Sequence, residues 1–152
     1  MAEPNFQVVK ITTDETYALR TAVLRAGTPT SDPKYAEDSK HGTVHLGIFD
    51  ANKILIATST WDINQWQEDP SAIAIQLRGM AVATSHQKSG LGKLLLDSGI
   101  THAKTLNAKY VWAKARDSAL DFYLRNDFMS VGYGFTEGVT QMPHHLVVQK
   151  LF

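Results

Sequence analysis

The chain has no cysteine at all. That excludes disulfides, thiolate metal sites and a covalent acyl-enzyme on cysteine, and it makes a reducing cytosol the expected location. An excess of charge of either sign is also missing, since fifteen basic residues offset fifteen acidic ones. Nothing global then draws the protein to nucleic acid or to an anionic membrane, and neither is an expected partner. No apolar run approaches the ~20 residues of a membrane-spanning helix. The opening Met1-Ala2-Glu3-Pro4-Asn5 has neither a basic nor an apolar stretch, so no secretory leader is expected. Repeats, low-complexity tracts and linkers are lacking too.

What remains is 152 residues with a hydrophobic fraction of 43%, enough for a buried core. We read them as a soluble, single domain spanning 1–152. Phe6, Val8, Val9 and Ile11 form a short opening strand. Thr13 or Asp14 caps a helix whose apolar stripe is Tyr17, Leu19, Val23 and Leu24, ended by Gly27 and Pro29. Residues 28–41 are polar and read as a loop or a poorly formed second helix. Residues 43–49 and 53–61 are strands joined by a turn at Asp50-Ala51-Asn52. A third strand covers 72–83, with Gly79 inside it as the mark of a bulge or a close backbone approach.

From Gly90 the period becomes helical, through Leu91, Leu94, Leu95, Ser98 and His102. A strand at 110–113 follows, then a helix capped by Asp117 or Ser118 and carrying Leu120, Tyr123 and Leu124. Strands at 131–135 and 146–151 close the chain. Strands interleaved with helices and hairpins predict α/β layering on a mixed sheet.

The most informative segment is Gln87-Lys88-Ser89-Gly90-Leu91-Gly92-Lys93, where a strand gives way to a glycine loop and then to a helix. Glycine permits positive φ and close approach of a ligand. The unpaired N–H groups at the helix start, at the positive end of its dipole, suit phosphate or pyrophosphate. A nucleoside-triphosphatase loop would need glycine in place of Gln87 and a hydroxyl residue in place of Leu94. A dinucleotide fingerprint would need glycine in place of Leu95. A glycine pair opening a helix can equally be only a tight connection.

The run Gln87-x-x-Gly90-x-Gly92, after a strand ending Met80-Ala81-Val82, resembles the acetyl-CoA signature of the GNAT acetyltransferase superfamily. Ala119-Leu120-Asp121-Phe122-Tyr123 followed by Phe128 is similar to that family's last conserved helix. Phe135-x-Glu137 with Met142-Pro143-His144, and Leu19-Arg20-x-x-Val23, resemble signatures of one bacterial branch. The resemblance implies a mixed, mostly antiparallel central sheet flanked by helices, with acetyl-CoA as co-substrate. By the same resemblance the amides of Gln87, Lys88, Ser89, Gly90, Leu91, Gly92 and Lys93 hold the pyrophosphate, and Met80 and Val82 offer backbone groups to the pantetheine arm. Arg116 stands where many relatives place an asparagine that contacts pantetheine, and Asp127 where they place glycine; Asn126 is expected to take the left-handed turn instead.

Acetyl transfer from a thioester to an amine needs a neutral amine, a stabilised carbonyl oxygen and a proton for the leaving thiolate. An alkyl ammonium with a pKa of about 10.4 costs roughly 4.6 kcal/mol to neutralise at pH 7. The resemblance places Tyr123 at the acid position, where a phenol stays protonated. A backbone N–H of the strand at 80–82 is the expected oxyanion stabiliser. Gln76 occupies the strand position where some relatives carry a catalytic glutamate, and an amide is no base. Glu137 and His144 are then the candidate bases, the bland reading being a hydrogen-bonding pair that fixes the last loop. Trp61 and Trp66 are candidate walls of an acceptor pocket, against simple packing. No metal site is expected, since His41 and His45 lack acidic company, and His86 and His102 are read as surface residues.

The sequence therefore reads as an acetyl-CoA-dependent N-acetyltransferase working by direct transfer in a ternary complex. Its acceptor is a small-molecule or peptide amine, and a homodimer is compatible with the reading. A module on the same fold that holds acyl-CoA without turnover also fits, since Gln76 is neutral, as does an unrelated phosphate-binding α/β protein.

Overall fold

The computed structural model describes residues 5–152; residues 1–4, read above as part of a leaderless start, lie outside them. The strands are β1 (Val9–Ile11), β2 (Val44–Phe49), β3 (Leu55–Ile63), β4 (Ala74–Val82), β5 (Tyr110–Arg116), β6 (Met129–Thr136) and β7 (Pro143–Lys150). They form one sheet in the order β1-β2-β3-β4-β5-β7-β6. Every neighbouring pair is antiparallel except β4 and β5. A parallel pair needs a crossover, and helix α2 (Leu91–Thr105) supplies it.

Period-two alternation sorts the strands into two faces. Leu46, Ile48, Ala57, Trp61, Ile75, Leu77, Val111 and Val147 bury against Leu91, Leu95, Leu96 and Ala103 of α2. Trp61 is wholly buried and lies on Gly99, where an added Cβ would come within 1.8 Å of its ring. Glycine at 99 is what lets α2 settle on the sheet.

The opposite face carries α1 (Thr13–Leu19) and a single π-type turn, Arg20–Leu24. Arg20 from that turn is fully buried yet paired, bidentate with Asp38 at 2.9 Å and donating to the Thr60 hydroxyl at 2.8 Å. This ties residues 28–41, which are loop apart from a short 3₁₀ turn at Ala36–Ser39, down onto β3. A smaller apolar cluster of Trp66, Ala74 and Trp112 covers the rest of that face.

Three local expectations change. The cap of α1 is Thr12, because only Thr12 has Glu15 three residues on to complete a reciprocal capping box; the Thr13 hydroxyl bonds His45 instead. Helix α3 (Leu120–Arg125) has no side-chain cap. It is entered through a 3₁₀ turn, Asp117–Ala119, and Asp117 pairs with His145 at 2.6 Å. After α3 the left-handed residue is Asp127 itself, at φ 70°, while Asn126 stays at φ −109° and its amide donates back to Phe122 O.

Candidate active site

The strands β4 and β5 are paired only from Ala74↔Tyr110 to Leu77↔Ala113. Beyond that point they part, and the cause lies on β4. Thr60 faces Arg78 but Thr58 faces Ala81, so two residues of β4, Gly79 and Met80, oppose Ser59 alone. Gly79 takes φ +63°, and this is the bulge expected from its place in the strand. Ala74 O and Ala83 N bond towards β3. Counting alternate residues inward from both ends, across the bulge, turns the N–H and C=O of Met80 and Val82 the other way, into the gap. The gap thus holds backbone donors and acceptors at strand spacing with no strand beside them. The side-chain amide of Gln87 donates to Val82 O at 3.1 Å.

At the far end of β4 the chain makes a 3₁₀ turn, Thr84–His86, and reaches the glycine loop. Lys88 (φ 63°) and Gly90 (φ 85°) are both left-handed, and nothing lies within 4 Å of the place where a Gly90 Cβ would stand. Helix α2 begins at Leu91, and its first backbone bond from the loop is Leu94 N to Gly90 O. The N–H groups of residues 87–93 have no acceptor among the described residues. Such a run at the positive end of a fifteen-residue helix fits a diphosphate. Leu91 is buried in the core, so only its N–H is on offer, and Lys93 pairs with Asp97 at 2.8 Å.

The gap opens onto a cavity of about 410 Å³. Of the residues singled out from sequence, Met80, Arg116, Tyr123, Glu137 and His144 line it, together with Gln76. Residues 87–93 do not; they lie at the other end of the gap. Tyr123 comes from α3 on the α2 side of the sheet and is 6% exposed. Burial raises its phenol well above the ordinary value, so it stays protonated, and its hydroxyl, at the cavity wall, has no hydrogen-bond partner among the described residues. Its ring is held edge-on by Phe122 and Phe128, each at 5.3 Å.

His144 lies opposite Arg116 in the β5–β7 register, so the two share a face. Nδ1 of His144 lies 2.8 Å from Met142 O. A carbonyl oxygen only accepts, so Nδ1 carries the proton and Nε2 of the neutral ring keeps its lone pair. Glu137 is occupied otherwise. Its carboxylate accepts from Val139 N at 2.9 Å and Thr140 N at 2.7 Å, closing the β6–β7 turn. Burial raises its pKa, but those two amides, Thr140 and the nearby His144 outweigh that and hold it below the usual carboxylate value. Gln76 accepts from Asn64 at 2.8 Å and Arg78 at 2.7 Å, a fixed polar wall.

The tryptophans do not line this cavity. Trp61 faces α2 in the core, and Trp66 packs against Trp112, ring centroids 5.6 Å apart and planes tilted by 48°. His45 is buried between Thr13 and Thr60, and His102 is half-buried. No group of metal-ligating side chains occurs among the described residues. The walls that sequence reasoning missed come from residues 25–37. Tyr35 lies 3.1 Å from where a Gly79 Cβ would stand, with the guanidiniums of Arg20, Arg25 and Arg78 over its ring at 4.6, 5.3 and 5.8 Å. Arg78 is held by Asp62 and Glu37.

Known proteins share this architecture. The chain is 26% identical over 144 residues to an uncharacterized N-acetyltransferase, YitI, of Bacillus subtilis, covering 95% of each chain. A putative N-acetyltransferase from Lactobacillus plantarum superposes with a TM-score of 0.78 at 14% identity, over 98% of this chain and 100% of that one. A chain of the NatC complex, solved with Gag peptide and CoA, superposes at 0.74 and 12% identity, over 98% and 100%. Residues 13–128 match the acetyltransferase (GNAT) family, whose members use acyl-CoA donors and amine acceptors. With three-quarters of its length inside that match, the chain is an acetyltransferase of the GNAT family.

Proposed function

We infer that the protein transfers an acetyl group from acetyl-CoA directly to a primary amine, both bound at once. The observation that carries this reading is the gap itself: β4 backbone at Met80 and Val82 with no strand beside it leads from a loop of unpartnered N–H groups to the Tyr123 phenol at the cavity wall. A pantetheine arm is an extended chain with two amides, and it suits a missing strand partner. Residues 87–93 hold the diphosphate, and a β4 N–H faces the thioester carbonyl.

His144 takes the proton from the amine through Nε2 as nitrogen attacks the carbonyl carbon. The tetrahedral intermediate then expels the thiolate, which takes a proton from the Tyr123 hydroxyl. The new C–N bond replaces the C–S bond, and the two proton transfers leave an amide and CoA. Glu137 positions the segment that carries His144 and contributes negative charge beside it. A placed base or acid contributes about 10²–10⁴-fold.

Incubation with acetyl-CoA and an amine library, with thiol release as the readout, tests the reaction. His144→Gln should lower kcat/KM by at least 10²-fold while acetyl-CoA affinity, measured by calorimetry, holds. Turnover unchanged by the substitution removes His144 as the base.

A further inference from the structure

The cavity walls carry charge that the transfer reaction does not use. Arg78 is neutralised by Asp62 at 2.6 Å and Glu37 at 3.2 Å. The other carboxylate of the wall, Glu137, is satisfied by two backbone amides. Arg25 and Arg116 are different. Arg25 is 6% exposed, its Nε donates to Asp32 O at 2.8 Å, and its Nη groups have no acceptor among the described residues. They are not sealed off either, because the orphaned arginine nitrogen inside the protein belongs to Arg20. Arg25 lines the cavity, with its guanidinium over the ring of Tyr35, another lining residue, at 5.3 Å. Arg116 donates to Leu24 O and is paired with no carboxylate among the described residues. Burial lowers its pKa; Tyr35 and Glu137 act against that, and the charge of Arg25 adds to it. Lys34 and Lys114 stand on the exposed rim.

Two unpaired guanidiniums around one partly buried space are costly unless an anion completes them. The diphosphate of the donor is not that anion, since residues 87–93 do not line this cavity, and the pantetheine arm is neutral. We propose that the acceptor amine carries a carboxylate, held by Arg25 and Arg116, so that the substrate is an amino acid or a closely related amino carboxylate. This deepens the proposed transfer and rests on it. The spacing favours a short link between the two groups: Arg116 is directly across from His144, and opposed residues have Cβ atoms about 4.5–5.5 Å apart. A carboxylate on the guanidiniums then leaves the neighbouring amine within reach of Nε2. A guanidinium fork matches a carboxylate in two parallel hydrogen bonds, which a primary amide cannot supply.

The test compares amino acids with their carboxamides, glycine with glycinamide and phenylalanine with phenylalaninamide, with rates corrected to the neutral-amine fraction. The wild type should favour the carboxylate in kcat/KM by at least 10²-fold. Arg25→Gln and Arg116→Gln should each bring that ratio down by 10-fold or more, chiefly through KM, with Arg25→Lys in between. A wild-type ratio near one overturns the proposal. So does a fall that is equal for carboxylate and carboxamide, which would assign the arginines to the oxyanion or to the fold. A binding arm keeps the two readings distinguishable. Calorimetry on the CoA-saturated protein measures N-acetylglycine and N-acetylphenylalanine against their amides. A carboxylate preference there without turnover of any amine overturns the proposed transfer but keeps the anion site. Turnover without such a preference does the reverse.

Discussion

Replacing Tyr123 by phenylalanine separates a chemical role from a packing role, because the two predict opposite patterns. The ring is buried and held edge-on by Phe122 and Phe128, contacts that phenylalanine keeps. The hydroxyl lies at the cavity wall with no hydrogen bond among the described residues, so its removal strands no partner. A typical intramolecular hydrogen bond contributes about 0.5–1.5 kcal/mol, and none is lost here. At roughly 2–4 °C per kcal/mol for a chain of this size, Tm should stay within about 2 °C of the wild type. Loss of the proton for the thiolate should lower kcat by at least 10²-fold, about 2.7 kcal/mol of barrier, with acetyl-CoA affinity little changed. Burial also raises the phenol above its ordinary 10.0 in the folded state. Its contribution to stability is therefore fully present below pH 10 and lost as the pH rises towards the folded value, so the variant should lose stability less steeply above pH 10. The assays are thiol release, calorimetry with acetyl-CoA, and thermal melts from pH 7 to 11. Unchanged turnover with a Tm lowered by 5 °C or more would refute the acid role and make Tyr123 a packing residue.

Gly92→Val should weaken acetyl-CoA binding by 10-fold or more in calorimetry while circular dichroism is preserved, because its Cβ meets Phe122 at 3.3 Å and must shift the start of α2, which carries the loop N–H groups. Gly99→Ala should cost at least 1–3 kcal/mol, a fall of about 2–12 °C in Tm, since its methyl group lands 1.8 Å from the Trp61 ring. Glu137 has a depressed pKa, so its stabilising contribution is present above the ordinary 4.5 and is lost as the pH falls through the folded value. Glu137→Gln should lower Tm at pH 7 and flatten the acid side of a pH–Tm series, whereas an unchanged acid side would show that the amide bonds contribute nothing.

The glycine loop and the helix after it were legible because their signal is local. Two glycines at fixed spacing and a switch to a 3.6-residue period suffice to mark a loop opening a helix. Gly79 was legible for the same reason, as a glycine inside a β-branched and apolar run. The pairing of β4 with β5 only as far as Leu77 was not, since it depends on a count of residues against β3. The segment 25–37 was opaque. Its order comes from Arg20, which reaches Asp38 and Thr60 across 18 and 40 residues of sequence. Nothing in a polar, proline-containing stretch announces that a buried arginine will organise it. The tryptophans misled because an aromatic near a loop gives no sign of which face of the sheet it takes. Trp61 follows Ser59 and Leu46 onto the α2 side, away from the site. The caps shifted for equally local reasons: Glu15 selects Thr12, and His145 claims Asp117.

Gly79 also makes chain length, rather than side-chain identity, the sternest limit on this architecture. Its strand is one residue longer than the register with β3 requires, and that extra residue reverses the orientation of everything from Met80 onward. Deleting it would restore strict alternation from Arg78 to Val82 and let β4 continue its ladder with Lys114–Arg116. The sheet would gain hydrogen bonds and lose its opening. A shortened protein of that kind would fold and melt higher yet hold no donor, so a single-codon deletion at this one position should be tolerated by stability and rejected by function.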